Sequence, residues 1–232
     1  MTDTYLYVDS PTGEVEFKAP LEGVNCVALK EICYVVGYYN ISEKKGNNTV
    51  HYANATGRYN TAVADGFYNL KTYEKALQDA VGKGLKIDPV HSSGAASVTL
   101  ERGTSLRAFT DVHGILGLSP RKILAPGDTV VGEETVQLLS PKQLFVHCPQ
   151  INKQGNLHNG EPSDILEVLP VTTTQFGLMV RHEFLGLSFK RLGSRILHKL
   201  SLEIRDENGE KLDFHGNYIR YTLVLRHERV RT

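Results

Sequence analysis

The sequence predicts an all-β fold, an antiparallel sandwich or barrel with one short helix and long loops, on three observations. Short apolar runs recur along the chain, separated by clusters of Gly, Pro, Asn and Ser, which is how strands and turns are spaced in such folds. One clear helical repeat stands out, at 70–81. Near the C-terminus, Ile196, His198, Leu200, Leu202 and Ile204 alternate with Lys199, Ser201, Glu203 and Arg205, the period of a half-buried strand.

Each element follows from local chemistry. Residues 4–9 and 15–17 are short strands split by Ser10-Pro11-Thr12-Gly13, a turn in which Pro presets φ and Gly supplies freedom. The run VNCVALKEICYVVGYYNI is β-branched and aromatic, too apolar for a surface helix, so it reads as one long strand bent at Gly37. Cys26 and Cys33 lie an odd number of positions apart in it and are expected on opposite faces. With Cys148 they read as small buried hydrophobes. Residues 42–66 are polar and Gly- and Asn-rich, an exposed excursion with room for a hairpin around 50–52. Leu70, Tyr73, Ala76, Leu77, Ala80 and Val81 recur at helical spacing, so a helix is expected over 70–81, capped by Asn69 and stopped by Gly82 and Gly84.

Short strands are then expected at 85–87, 97–101, 106–109, 130–131, 136–139 and 144–147, with a second polar loop at 150–163 and a return to the core at 165–171 and 176–180. At the C-terminal hairpin, a two-residue Asn208-Gly209 turn would place Leu212 and Phe214 on the polar side. A three-residue loop, 207–209, instead sets Leu212 opposite Ile204 and Phe214 opposite Leu202, with Gly209 in the left-handed region. Ile219, Tyr221, Leu223 and Leu225 form a last half-buried strand. The whole, 1–232, is expected to be one domain with long loops near 42–66 and 150–163.

Composition excludes several classes. Lys and Arg number 26, as do Asp and Glu, so no global basic field recruits nucleic acid or a membrane. Three cysteines without CxxC spacing suit neither a disulfide scaffold nor a zinc site. No stretch reaches the roughly 18 apolar residues that span a bilayer, and the N-terminus has no signal-segment pattern. The sequons at Asn40, Asn47 and Asn54 therefore read as polar loop composition.

No catalytic, cofactor or metal residue is nominated. Gly82-Lys83-Gly84 lacks the phosphate-loop frame and follows a helix, so it reads as a helix stop. His91-Ser92-Ser93-Gly94 has no nucleophile elbow and no acid partner. The nine histidines are scattered without His-x-His spacing, and His198 falls on the apolar face of its strand as a core or interface histidine. Arg220, Arg226, Arg229 and Arg231 give the C-terminal strand and tail a basic edge, a solvated end that also discourages edge-to-edge pairing. Tyr52, Tyr59 and Tyr68 could offer stacking faces to a sugar, so a carbohydrate-binding module is the alternative function.

A family resemblance runs through several of these blocks. IRDENGEKLDFHGNYIRYTLVLR resembles the C-terminal end of the penton, or minor capsid, proteins of Polinton (Maverick) elements and their adintovirus and virophage relatives. Val27-Ala28-Leu29-Lys30-Glu31-Ile32 with Tyr34 is similar to a block of the same proteins, as are Gly66-Phe67-Tyr68 before the helix and Gly114-Ile115-Leu116-Gly117-Leu118. Leu144-Phe145-Val146-His147-Cys148 and Ile165-Leu166-Glu167-Val168-Leu169-Pro170-Val171 resemble a further pair. Asn25 and Tyr38 stand where family members usually carry Trp. The resemblance implies a single jelly-roll β-sandwich without enzymatic activity or cofactor. It implies a homopentamer at the vertices of an icosahedral capsid, beside a major capsid protein of double jelly-roll fold, with a vertex spike as a further partner and with packaged nucleic acid or an acidic neighbouring subunit meeting the basic edge of Arg220, Arg226, Arg229 and Arg231.

Overall fold

The computed structural model describes residues 2–111, 113–119, 121–138, 141–173 and 175–227. The chain opens with β1 (Thr2–Ser10), β2 (Glu14–Glu22) and β3 (Val24–Val35). There follow β4 (Thr49–Asn54), β5 (Gly57–Ala62), helix α1 (Leu70–Val81), β6 (Leu85–Val90), β7 (Ala95–Leu100), β8 (Leu106–Thr110) and β9 (Thr129–Val131). The last part holds β10 (Gln143–His147), the short β11 (Leu157–His158) and β12 (Glu161–Pro162), β13 (Ile165–Pro170), β14 (Met179–Glu183), β15 (Lys190–Arg191), β16 (Ile196–Ser201), β17 (Glu203–Arg205) and β18 (Ile219–His227). Two compact units share these elements: Met1–Tyr38 with Pro141–Thr232, and Tyr39–Ser140, which interrupts the first in sequence.

The first unit is a jelly roll. With the two-residue pieces set aside and β16 and β17 taken as one ribbon interrupted at Leu202, its strands in chain order are β1, β2, β3, β10, β13, β14, β16/β17 and β18. The first pairs with the last, the second with the seventh, the third with the sixth and the fourth with the fifth, all antiparallel. Pairing of β18 with β3 and of β17 with β10 completes two sheets, β1-β18-β3-β14 and β2-β16/β17-β10-β13. Such nesting is a long antiparallel hairpin rolled into a two-sheet sandwich. Tyr221, Leu223, Leu225, Val27, Leu29 and Ile32 of one sheet are buried, as are Leu144, Val146, Leu169, Leu200 and Ile204 of the other. β3 also approaches β13 across the two sheets.

Bulges move several side chains from their expected faces. Strict alternation in β16 would bury Ile196 and His198. A register shift between Leu197 and Lys199 against β2 instead buries Leu197 and exposes Ile196 and His198, after which Leu200, Leu202 and Ile204 are buried as expected. Between these pairs β2 runs residues 17–20 against His198 alone, and an odd excess of residues in one strand flips the face on which the pairing continues. His198 is thus a surface residue. In β3, Glu31 pairs with Thr222 but Leu29 with Leu223, leaving Lys30 as the inserted residue. Cys33 opposite Arg220 and Cys26 opposite Arg226 then share one face, contrary to the odd-spacing expectation. Both are half-buried, and Cys148 alone is fully buried.

The C-terminal turn keeps the predicted chemistry and loses the predicted strand. Gly209 has φ +80° and Leu212 N–H donates to the Ile204 carbonyl (2.9 Å), so Leu212 lies opposite Ile204. Past the single bridge of Arg205 with Lys211 the arm leaves, and β17 takes β10 as its partner. Phe214 therefore has no strand partner at Leu202. It is buried beneath Tyr34 and Tyr38, edge-on to both rings. The expected strand over 176–180 begins only at Met179, and Phe176 and Leu178 are exposed in a turn. The central strand β18 is buried on both faces over Tyr221–Leu225, Thr222 and Val224 included.

The second unit packs α1 on two three-stranded sheets, β5-β4-β8 and β6-β7-β9. The helix is capped as predicted: Asn69 Oδ1 accepts from Thr72 N–H (2.9 Å), and Gly82 closes the end with φ +104°. Tyr73, Leu77 and Val81 face a core of Val98, Leu100, Leu106 and Phe109. Much of the expected 42–66 excursion is the β4–β5 hairpin, which pairs on to β8. No strand forms at 136–138, where Val136 N–H and Gln137 N–H each donate to a different loop, at Gly94 and Ile115. Leu139 lies outside the described residues. The expected 150–163 loop holds the small β11–β12 hairpin.

Candidate functional site

The outward face of the β1-β18-β3-β14 sheet is the best organised polar surface of the first unit. Its register sets Asp9, Arg220, Cys33 and Arg181 in one row and Asp3, Arg226 and Cys26 in another, with Tyr7, Thr222, Glu31 and Glu183 between. Cross-strand neighbours on one face sit about 5 Å apart, so opposite charges in a row meet. Arg226 forms a two-pronged pair with Asp3 (2.9 and 3.0 Å), Arg220 reaches Asp9 (3.1 Å), and Arg181 reaches Glu31 (2.6 Å) and Glu183 (3.4 Å). The hydrogen bonds of Arg226 and Arg181 hold the carboxyls of Asp3 and Glu31 below their ordinary range. Arg226 also lies 3.5 Å from the Phe189 ring centroid, and the Lys30 ammonium sits over Tyr5. Cations stacked on aromatic faces in this way gain attraction from the ring quadrupole.

This corrects the basic edge expected from the sequence. β18 is an interior strand between β1 and β3, and both of its described arginines are neutralised by aspartates of β1. Arg229 and Arg231 lie outside the described residues.

Apolar surface is concentrated elsewhere on this unit. Phe176, Leu178 and Met179, the last 70 % exposed, fall within four consecutive residues, and Leu185 and Tyr218 are also largely exposed. The turn is held by Gly177 N–H on the Val36 carbonyl and by Val36 N–H on the Leu178 carbonyl (both 2.9 Å), so the exposed side chains stand on fixed backbone. Large apolar groups grouped on a rigid surface mark sites of association.

The sequence motifs weighed for chemistry fall in structural roles. Gly82-Lys83-Gly84 is the helix stop, with Gly84 carbonyl accepting from Glu101 N–H. His91 to Gly94 form the turn between β6 and β7. Among the described residues no group of three or more His, Cys, Asp or Glu is placed to hold a metal ion. Asp164 meets His147 Nδ1 (2.6 Å) and Lys153 (3.2 Å). Burial pushes its carboxyl up, and these two partners outweigh the burial and hold it below its ordinary value. The neighbouring Cys148 is buried and its thiol is pushed up to about 12 by burial, so it supplies no thiolate. His182 stacks on Tyr34, and burial lowers its pKa.

The three tyrosines split between two places. Tyr52 and Tyr59 are cross-strand partners whose rings stack at 5.5 Å. Tyr68 instead packs edge-on to Tyr73, and its hydroxyl donates to the Ala64 carbonyl (2.7 Å).

The sequons conceal structural asparagines. Asn40 is 1 % exposed; its Nδ2 donates to the carbonyls of Tyr68 and Leu138, and its Oδ1 accepts from Tyr68 N–H, each at 2.7 Å. Asn47 and Asn54 likewise satisfy backbone groups of their own turns. The reading of all three as loop composition missed this, because a sequon and a buried turn asparagine are spelled alike.

No family model and no curated protein matches the chain. Among solved structures it is similar to the crystal structure of the mavirus penton protein, at 10% sequence identity and a TM-score of 0.56, covering 98% of this chain and 100% of that one. That likeness, at such low identity, is one of fold, an all-β jelly roll.

Proposed function

We propose that the chain is a structural capsid protein, the penton subunit of an icosahedral virion, acting by assembly and without catalysis or cofactor. The observation that carries the reading is the nested jelly-roll pairing of the first unit, together with a likeness of fold to a penton protein over 98% of the chain. In this reading chain 1–232 works as one capsid subunit. Five copies associate around a vertex, and the ring meets a major capsid protein of double jelly-roll fold. The virion vertex is then its location, and a spike or fibre a further partner.

The physical support is on the surface of the first unit. Cyclic association needs two different patches that meet head to tail, each carrying apolar area on a rigid frame. The exposed Phe176, Leu178 and Met179 supply one such patch, and Leu185 with its flanking turn a second. No helix among the described residues is long and apolar enough to cross a membrane.

Sedimentation velocity and negative-stain imaging of the purified chain test the reading. Fivefold rings are expected, and Met179→Glu should shift the ring toward monomer by tenfold or more in dissociation constant, about 1.4 kcal/mol per subunit contact. A chain that stays monomeric at the highest attainable concentration, alone and with a double jelly-roll capsid protein, would falsify it.

A further inference from the structure

We propose that the open face of the β5-β4-β8 sheet binds a carboxylated sugar. The inference rests on the second unit alone and does not depend on the vertex reading.

The register builds the site. His51 of β4 pairs with Asn60 of β5 and Thr110 of β8, so these three polar side chains stand in one cross-strand row. The next row on the same face is Arg58, Ala53 and Ala108. Leu124 bridges to Phe109 of β8 and is buried, while its neighbour Ile123 is 63 % exposed beside that strand. The two alanines therefore form a low floor between a guanidinium on one side and an apolar wall on the other. An open groove of about 270 Å³ results, lined by these residues and by Tyr52 and Tyr59.

The chemistry of the lining selects the ligand. Among the described residues none of His51, Arg58, Asn60 and Thr110 has a side-chain hydrogen bond or ion pair. His51, Arg58 and Asn60 are exposed to water, so a ligand that docks here displaces solvent and breaks no internal pair. Neighbours across a sheet stand about 5 Å apart, a spacing that suits adjacent hydroxyls of a pyranose. The alanine floor accepts the flat C–H face of the ring, and Ile123 accepts an apolar substituent such as an acetamido methyl. Arg58 provides the planar fork that recognises a carboxylate with two parallel hydrogen bonds. The volume is at the lower end of small-ligand sites, which fits one sugar unit and not an extended oligosaccharide.

Titration of the full-length chain with 3′-sialyllactose, with a hyaluronan tetrasaccharide and with lactose tests this, read by ligand-observed NMR and calorimetry. At least one carboxylated probe is expected to bind at millimolar Kd or better, and lactose at least tenfold more weakly. Which carboxylated probe binds separates a sialic acid from a hexuronic acid. Arg58→Ala should weaken the preferred probe tenfold or more, with Arg58→Lys between the two. Ala53→Leu, which fills the floor, should abolish binding while leaving the thermal unfolding transition in place. Absence of binding by both acidic probes at 10-fold above a millimolar Kd, equal binding of lactose, or an Arg58→Ala chain that binds as the parent does would each overturn the proposal.

Discussion

Asp111 is caught between two opposed effects. Its two carboxylate oxygens accept from Ile115 N–H (3.1 Å) and Leu116 N–H (2.8 Å), which favours the charged form. Burial of the residue favours the neutral form and wins, raising the pKa from the ordinary 3.8 to about 6. The folded state thus holds this proton more tightly than the unfolded chain does. Stability from it is complete below pH 3.8 and is lost as pH rises through about 6. The loss is on the order of 3 kcal/mol at roughly 1.4 kcal/mol per unit. Asp111→Asn should remove that pH dependence. It should also cost about 1–3 kcal/mol at pH 4, because the two N–H groups meet separate oxygens and the amide would turn its NH2 toward one of them. Urea unfolding of parent and variant between pH 4 and pH 7 reads the difference, and parallel profiles would refute the assignment. Asn40 has no such conflict: an uncharged amide meets three backbone groups. Neither role is visible in sequence, because an isolated Asp or Asn beside a turn is spelled alike whether its partners are water or buried backbone.

Among the elements, helix α1 was readable to the residue, since its period, its cap and its glycine stop are all local signals. Strand existence was also readable in most places, and strand face was not. The bulge at Lys30 arises where a partner distant in sequence offers one residue fewer, and the irregularity at Leu197–Lys199 where β2 runs residues 17–20 against His198 alone; each inverts a face assignment made from alternation alone. Turn glycines divide in the same way between local and distant causes. Gly209 has φ +80° with nothing near its missing side chain, so Gly209→Ala should cost only the left-handed backbone, about 1 kcal/mol. Gly13 has φ +74°, and a Cβ there would run into the Leu202 carbonyl oxygen, which also accepts no slack because Leu202 N–H is bonded back to Gly13 O (2.8 Å). Gly13→Ala should therefore part β2 from the β16/β17 ribbon at a cost above about 3 kcal/mol. Chemical denaturation of the two variants side by side decides the matter, and equal midpoints would contradict the contact argument.

At the scale of the whole molecule, the sheet-and-turn character was available from punctuation, but the order of pairing was not. β1 meets β18 across 223 positions, as Asp3 and Arg226 show, and nothing in either strand's composition names the other. The insertion of residues 39–140 between the third and fourth strands of the jelly roll was equally hidden. Its entry, Val36-Gly37-Tyr38-Tyr39-Asn40-Ile41, is mostly apolar and buried and is not the Gly-, Ser- or Pro-rich run of a linker. Yet the second unit brings its own ends together, Asn40 Nδ2 bonding the Leu138 carbonyl at 2.7 Å, and carries its own core of Leu77, Val98, Leu106 and Phe109. Insertions whose ends meet are those a host domain can carry or lose. Residues 39–140 expressed alone should unfold in one cooperative transition, and the jelly roll with that segment replaced by a flexible Gly-Ser bridge should do so too. If the vertex reading holds, the bridged jelly roll keeps the ring, since the exposed Phe176, Leu178, Met179 and Leu185 all belong to it. A segment that unfolds only together with the jelly roll would mean that one core spans both, and a bridged jelly roll that folds but stays monomeric would move the assembly surface to the inserted unit.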